Sequence, residues 1–150
     1  MHRVSLVNDR AISVAAWEAL FRAQVSVLRQ LHAEFPTGEI SLNEYDVLFN
    51  LSRQDERRLR LRDLNRHLLL TQPSVSRLVD RLVSRNLVIK ESDPGDGRGT
   101  IVCLTDAGYT LFKRVAVLHA ESIRKRVGGV LNSEELAQLT VLSDKLRLGQ

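Results

Sequence analysis

Polar and basic side chains between residues 73 and 85 recur at the spacing of one helix face. At about 100° per residue, one arc carries Pro73, Ser76, Arg77 and Asp80, with Ser74 and Arg81 at its sides. Short hydroxyl groups at the start of such a helix can exchange hydrogen bonds with base edges, and arginines further along can bind guanine or phosphate. The face therefore has the composition of a nucleic-acid recognition surface. The solvated face of an ordinary amphipathic helix has the same composition.

A second polar segment, Asp93–Gly99, displays one arginine between two glycines. Its sequence, DPGDGRG, separates two short apolar runs and predicts a mobile polar loop at the tip of a β-hairpin. Asp96 precedes Arg98 by two residues, close enough to pair with it and fix its direction. An arginine on a protruding loop suits the narrow, negative minor groove of duplex DNA. The alternative is a glycine-rich turn with an incidental exposed arginine.

Two short helices joined by a tight turn are predicted to position this surface. The first covers Arg62–Leu69. The second runs from an N-cap at Thr71 to about Arg85, where Asn86 ends it in a left-handed conformation. Pro73 is compatible with the first turn of that helix. The buried side of the pair is predicted from Leu64, Leu68, Val75, Leu78, Val79 and Leu82.

The hairpin is predicted from the strands Leu87–Ser92 and Thr100–Leu104, with a further very short strand at Leu59–Leu61. A capping box at Ser41 and Glu44 opens an earlier helix with Leu42, Tyr45, Leu48 and Phe49 facing inward. Helix, turn, helix and hairpin in this order are typical of a winged helix-turn-helix, here covering about residues 41–104.

Long apolar helices are predicted at both ends of the chain, over about residues 8–35 and 105–148. The later segment has caps at Thr105 and Asn132 and is interrupted by two glycines, at 128 and 129. The first helix has apolar stripes on two sides, so it needs more than one surface to pack against. We therefore expect dimerisation helices. The predicted fold class is mainly α with a small β-hairpin, in a single domain over residues 1–150.

The length and composition are those of a soluble globular domain. The 150 residues are 43% hydrophobic and 27% charged, with a formal net charge of +4. Between Arg53 and Arg98 there are eleven basic and seven acidic side chains, so the whole excess of four positive charges lies in this segment. Localised positive charge favours an anionic partner, whose affinity falls as salt rises.

The sequence also predicts a cytoplasmic protein that does not enter a membrane. No uninterrupted apolar run approaches the ~18 residues of a spanning helix, and the N-terminus, MHRVSLVNDR, lacks the apolar core of a signal peptide. The single cysteine, Cys103, cannot form an internal disulfide, which fits a reducing compartment.

No constellation of catalytic or metal-binding residues is recognisable in the sequence. The histidines, at positions 2, 32, 67 and 119, do not have the spacing of a metal site. Cys103 is expected to be a half-buried strand residue rather than a redox sensor. Since no nucleophile–base pair, phosphate loop or carboxylate dyad is present, the sequence predicts no enzyme, no metal and no cofactor.

Three motifs together resemble the multiple-antibiotic-resistance regulators, the MarR family. They are the pattern SVSRLVDRL at Ser74–Leu82, the Asp-x-Arg pair at Asp96 and Arg98, and Leu104-Thr105-x-x-Gly108 at the start of the next helix. The order and spacing of the other predicted helices fit as well. The resemblance therefore covers essentially the whole chain.

This resemblance implies a homodimer, with the first and last helices of each subunit interwoven, that binds pseudo-palindromic operators in double-stranded DNA and usually represses transcription. By position, it implies major-groove contacts for Thr71, Gln72, Ser74, Ser76 and Arg77, and a minor-groove contact for Arg98. Arg81 extends the basic face, and Asp96 is expected to orient Arg98. Two recognition helices would then lie about one DNA turn apart, roughly 34 Å and ~10 bp.

Such regulators often respond to a ligand. Trp17, Tyr45 and Phe49 are candidates to line a site for a small aromatic or lipophilic effector, between the dimerisation helices and the winged lobe, although such aromatics are more often core residues. The leading hypothesis is a dimeric, sequence-specific transcriptional regulator, a repressor released by a small molecule. The alternative is a winged-helix module for protein interaction or assembly, with weak or no DNA binding.

Overall fold

The computed structural model describes residues 2–68 and 74–150. Over these residues the chain forms α1 (His2–Glu34), α2 (Leu42–Ser52), β1 (Arg58–Arg60), α3 (Leu61–His67), α4 (Val75–Ser84), β2 (Val88–Asp93), β3 (Asp96–Leu104), α5 (Asp106–Ile123) and α6 (Ser133–Leu148). A 3₁₀ turn covers Asp55–Arg57, and a π-helical turn follows α5. The predicted class, mainly α with a small β-sheet, is confirmed. The first helix begins six residues earlier than predicted.

Contacts divide the chain into two compact units. One, called here the helical unit, comprises α1 together with Glu121–Gln150. The other, called here the winged unit, comprises Phe35–Ala120 and contains the sheet with α2, α3, α4 and most of α5.

The core of the winged unit is built from one apolar side of each short helix. Leu64 of α3 and Leu78, Val79 and Leu82 of α4 are fully buried, as the period of the sequence predicted. The side chains that join them in this core include Val47, Leu48, Leu51, Val88 and Val102. Each such burial contributes roughly 1.5–3 kcal/mol relative to an exposed side chain. Val75 and Leu68 are only half-buried because they flank the ends of their helices.

The three strands form one antiparallel sheet in the order β1-β3-β2. The ladder between β2 and β3 continues to the pair Asp93 and Asp96, with an irregularity between Ser92 and Asp93. The prediction of a mobile loop over Asp93–Gly99 was therefore wrong. Glycine and aspartate are rare in strands, but here cross-strand pairing carries β3 back to Asp96 and leaves only Pro94 and Gly95 as the turn.

Side-chain caps set the helix starts. Ser41 and Glu44 form the predicted capping box on α2, with both hydrogen bonds at 3.1 Å. The Ser74 hydroxyl caps α4 by accepting the Arg77 N–H at 3.3 Å, so this helix begins three residues later than predicted. Thr71, the predicted cap, lies outside the described residues.

The hairpin is tied to the start of α5 by Thr105 and Gly108. The Thr105 hydroxyl donates to the carbonyl of Asn86 at 2.7 Å and accepts the Gly108 N–H at 3.0 Å. Asn86 adopts the predicted left-handed conformation, with φ of 57°. A side chain at Gly108 would place its Cβ 2.0 Å from the Leu87 carbonyl oxygen, so only glycine permits this approach. The base of the hairpin is thereby held against α5.

The helical unit leaves large apolar side chains exposed. They include Ile12, Val14, Trp17, Phe21 and Val25 on α1, and Leu139, Val141, Leu142, Leu146 and Leu148 on α6. An 18-residue window within the segment Asp9–Glu34 has a mean hydropathy of 1.2, so this helix is long and apolar enough to cross a membrane by length and composition alone. Glu18 and Arg22 interrupt it, which is why no unbroken apolar run was found in the sequence. A dimerisation helix with two apolar sides has the same composition.

Candidate nucleic-acid interface

The outer side of α4 is polar and basic, as predicted. Ser76, Arg77 and Arg81 are exposed there, while the opposite side of the same helix is fully buried. Ser74 caps the helix, so its hydroxyl already accepts one backbone N–H. The positive end of the α4 dipole adds to the arginines in attracting anions to this end of the helix.

A cleft of about 580 Å³ separates the start of α4 from the hairpin of β2 and β3, called here the wing. It is lined by Arg60, Leu61, Arg62, Asn65, Ser74, Val75, Ser76, Asp93, Asp96, Arg98, Gly99 and Thr100. Four predicted site residues, Ser74, Ser76, Asp96 and Arg98, therefore meet around one cavity. Arg77 and Arg81 lie on the exposed side of α4 and do not line it.

The wing holds Arg98 differently from the prediction. Asp96 accepts a hydrogen bond from the backbone N–H of Arg98 at 3.2 Å, whereas the sequence suggested pairing with its guanidinium. The Asp96 carboxylate is thus engaged by the backbone two residues further along the chain, as aspartate side chains in turns commonly are. The Arg98 side chain is exposed, and among the described residues no carboxylate lies within ion-pair distance of it.

The basic residues of the winged unit fall into two groups. Several are neutralised by carboxylates, namely Arg60 by Asp93, Arg58 by Glu91, Arg85 by Glu44 and Lys90 by Asp80. Within the part of the chain that the structure describes, Arg53, Arg62, Arg77, Arg81, Arg98 and Lys113 have no such partner, and Arg53 and Lys113 lie over the rings of Phe49 and Tyr109. The guanidinium groups of Arg62, Arg77, Arg81 and Arg98 are thus available to an external anion, and all four lie on α3, α4 or the wing.

Sequence reasoning missed five polar residues of the cleft, namely Arg60, Arg62, Asn65, Asp93 and Thr100. Arg62 and Asn65 lie three residues apart on α3, the spacing of one helix face, and this was the available signal. Thr100 carries no signal in isolation, because its place at the cleft follows from the sheet register alone. Thr71 and Gln72, both predicted to contact the major groove, lie outside the described residues.

The aromatic candidates belong to two different units. Tyr45 is buried in the winged unit, with ring centroids 5.5 Å from Phe35, 5.4 Å from Phe112 and 6.4 Å from Phe49. Burial raises the pKa of its hydroxyl. Trp17 lies in the helical unit, 59% exposed and 5.6 Å from Phe21. Tyr45 and Phe49 thus belong to one aromatic cluster, and Trp17 to a surface patch on α1.

The remaining titratable candidates are half-buried. Cys103 lies in β3 as expected, and burial, followed by the neighbouring Glu91, raises the pKa of its thiol. A raised pKa disfavours the reactive thiolate. His119 contacts the rings of Phe35 and Tyr45, and burial lowers its pKa. Among the described residues, no group of three histidine, cysteine or acidic side chains is arranged to hold a metal ion.

Comparison with known proteins finds similar sequences and similar folds. A model of the MarR family matches residues 39–99. Over 86 residues, the chain is 31% identical to the uncharacterized HTH-type transcriptional regulator YkoM of Bacillus subtilis. This match covers 57% of the chain and 55% of YkoM, so it spans about half the length of that relative.

Two solved structures are similar over most of their length. Sco3205, a MarR-family transcriptional regulator from Streptomyces coelicolor crystallised in complex with DNA, is 26% identical with a TM-score of 0.76, covering 93% of this chain and 88% of that one. BpsR of Bordetella bronchiseptica, whose DNA binding is regulated by 6-hydroxynicotinic acid, is 25% identical with a TM-score of 0.72. That match covers 87% of this chain and 91% of BpsR.

Proposed function

We propose that the chain is a winged helix-turn-helix transcriptional regulator of the MarR type, which binds pseudo-palindromic operators in double-stranded DNA as a homodimer and represses transcription. In this proposal the chain acts by binding DNA and not as an enzyme. The observation that carries the proposal is the cleft between α4 and the wing, where unpaired arginines and hydroxyl groups converge.

The two sides of this surface suit different parts of the duplex. In the proposed complex, Ser76 and Arg77 of α4 contact base edges in the major groove, and Arg81 binds phosphate. Arg98 enters the adjacent minor groove from the wing, where an exposed guanidinium gains most from the negative potential. Arg62 of α3 binds the phosphate backbone between these contacts. Thr71 and Gln72 remain predicted major-groove residues.

The exposed apolar side chains of α1 and α6 support the homodimer. Trp17 and Phe21 are 59% and 51% exposed, and Leu142 is 64% exposed, so the helical unit alone leaves a large apolar surface in water. Apolar patches of this kind mark protein interfaces. A second copy of the chain covering them would present two recognition helices to successive turns of DNA.

An aromatic effector that relieves repression is the remaining part of the proposal. In the winged unit, Tyr45, Phe49 and Phe112 form an aromatic cluster beside two cations, with Arg53 5.7 Å from the Phe49 ring and Arg57 3.5 Å from the Tyr109 ring. Such a surface suits a small aromatic acid, because its ring stacks and its carboxylate meets the guanidinium groups. Trp17 remains a predicted effector contact.

The DNA-binding proposal is tested by replacing Arg98 with alanine. Genomic fragments selected with the wild-type protein serve as probes, and affinity is measured over a range of salt concentrations. Loss of one minor-groove arginine should weaken binding about tenfold or more, equivalent to ~1.4 kcal/mol. Arg58→Gln, an arginine of β1 that is paired with Glu91 and does not line the cleft, is the matched control.

An affinity of Arg98→Ala within about twofold of the wild type would contradict the role of the wing. Failure of the wild-type protein to retard any fragment more tightly than random duplex would instead favour a protein-interaction module.

The effector proposal has its own measurement. Titration with 6-hydroxynicotinic acid and with other aromatic carboxylic acids should release a bound DNA fragment, and Tyr45→Ala should raise the concentration needed at least tenfold. Phe35→Leu, which keeps an apolar side chain in contact with the Tyr45 ring, is the control. Release of DNA at the same concentrations from the Tyr45 variant would exclude the aromatic cluster as the effector site.

A further inference from the structure

The only cleft arginine that forms an ion pair among the described residues is Arg60. Its Nε lies 2.6 Å from Oδ2 of Asp93. The two residues belong to the two outer strands of the sheet, Arg60 to β1 and Asp93 to β2, so the pair spans β3. The Asp93 side chain is 4% exposed, whereas the carboxylates of the other wing pairs, Glu91 and Asp80, are 46% and 59% exposed. A buried carboxylate is held far more firmly by its partner than an exposed one.

Asp93 also organises the turn at the wing tip. Its Oδ1 accepts the backbone N–H of Gly95 at 2.9 Å, while Oδ2 receives Arg60. Both carboxylate oxygens are therefore occupied, one by the turn and one by the opposite edge of the sheet.

Gly99 leaves room for this carboxylate. A Cβ at position 99 would lie 3.0 Å from the Asp93 Cβ and 3.3 Å from Oδ2, the oxygen that meets Arg60. Gly97, on the other side of Arg98, has nothing within 4 Å of the corresponding position. A side chain at position 99 would therefore press on Asp93 and the oxygen that meets Arg60, whereas a side chain at position 97 would not.

We propose that Arg60 and Asp93 are positioning residues for DNA binding, which lock the wing tip across the sheet so that Arg98 is presented to the minor groove in one orientation. Arg60 acts through its ion pair with Asp93 and does not itself contact a phosphate group. This inference rests on the proposed function for its effect on affinity. The locking of the wing itself does not depend on DNA.

The first measurement needs no DNA. Backbone ¹⁵N relaxation of Arg98 in the free protein should give an order parameter near the ~0.85 of rigid backbone, falling below about 0.6 in Arg60→Gln and Gly99→Ala. Gly97→Ala is the matched control, because it adds the same methyl group on the other side of Arg98. Arg58→Gln removes the neighbouring exposed ion pair on β1. An order parameter for Arg98 that is equally high in all four variants overturns the proposal.

The second measurement uses the selected duplex fragment. Asp93→Asn retains an oxygen for the Gly95 N–H and removes only the charge that Arg60 meets, so it should weaken binding about tenfold without changing the salt dependence. Arg60→Gln should do the same, and Arg60→Lys should recover part of the loss. If Arg60 contacts phosphate instead, the slope of log affinity against log salt becomes less steep by about 0.9 in the glutamine variant. That result overturns the proposal.

A double variant separates positioning from a general loss of stability. In an Arg98→Ala background, Asp93→Asn should have no further effect on affinity, because the side chain that it positions is absent. Independent, multiplying losses of affinity overturn the proposal. If the wild-type protein binds no duplex, the proposed function fails, and the relaxation of Arg98 alone decides whether Arg60 and Asp93 lock the wing.

Discussion

Gly108 is the residue at which the hairpin and α5 approach most closely. A Cβ there would lie 2.0 Å from the Leu87 carbonyl oxygen and 2.8 Å from a Leu104 methyl group. We expect Gly108→Ala to lower the free energy of unfolding by about 2–3 kcal/mol, since backbone must move to admit the methyl group. Urea denaturation measures this change. Gly97→Ala, with open space around it, should stay within about 0.5 kcal/mol of the wild type, and equal losses in both variants would contradict the steric explanation.

His119 is predicted to make stability depend on pH. Burial between Phe35 and Tyr45 lowers its pKa from the ordinary value of 6.5, so the folded protein binds this proton less readily than the unfolded chain. The free energy of unfolding should therefore fall as the pH drops below 6.5 towards the pKa of the folded state. Well above pH 6.5 the contribution of His119 to the free energy of unfolding no longer changes with pH.

Urea denaturation at about pH 7.5 and about pH 5.5 measures this effect. His119→Phe should lose less stability between the two pH values than the wild type, because it keeps the ring contacts without a titrating group. His67→Gln, at an exposed position, should behave like the wild type. An unchanged pH dependence in His119→Phe would show that the titration of His119 does not affect folding.

At the scale of single elements, side-chain caps decide where helices start. The capping box on α2 gives hydrogen-bond acceptors to two backbone N–H groups, those of Ser41 and Glu44. Ser41→Ala should cost about 1 kcal/mol of unfolding free energy, whereas Ser41→Asn should be close to neutral because asparagine also caps. Thermal or urea unfolding compares the two variants. A loss in the asparagine variant as large as in the alanine variant would contradict capping as the cause.

The elements themselves were predictable because their apolar residues follow the helical or strand period. Leu64, Leu78 and Leu82 mark the buried sides of α3 and α4 in the sequence and in the structure. The start of α4 was not predictable to the residue, since Thr71 and Ser74 are both competent caps and only the tertiary structure selects between them. Of these two, Ser74 is the cap in the described part of the chain.

The wing shows more clearly that local sequence does not determine where an element begins. Its composition, rich in glycine and aspartate, predicts a loop, yet β3 runs from Asp96 because it pairs with β2 on one side. Arg60 lies at the cleft beside the wing because β1 pairs with β3 in a register that places Arg60 opposite Ile101. No local sequence pattern encodes this long-range register. Sequence therefore predicted the exposed Arg98 and the face of α4, but neither the Arg60–Asp93 pair nor the cleft residues of α3.

At the scale of the whole molecule, the excess positive charge and most of the exposed large apolar side chains of the described residues lie in different units. The excess positive charge lies between Arg53 and Arg98, within the winged unit, while the helical unit carries the exposed apolar side chains of α1 and α6. This division suits a protein that binds a polyanion with one unit and another protein surface with the other. DNA binding and dimerisation are coupled if a pseudo-palindromic operator requires two wings.

Leu142→Glu tests that coupling. Leu142 is 64% exposed in the single chain, and in the proposed dimer a carboxylate there would be taken out of water without a partner. Sedimentation should then give the 17.0 kDa mass of one chain instead of twice that value. Since each monomer retains only one half-site contact, affinity for the selected fragment should fall by 100-fold or more, on the order of 2.7 kcal/mol. Thr140→Glu, on another side of α6, adds the same charge as a control. A Leu142 variant that sediments as a dimer, or a monomer that binds with wild-type affinity, would contradict the dimeric mode of operator binding.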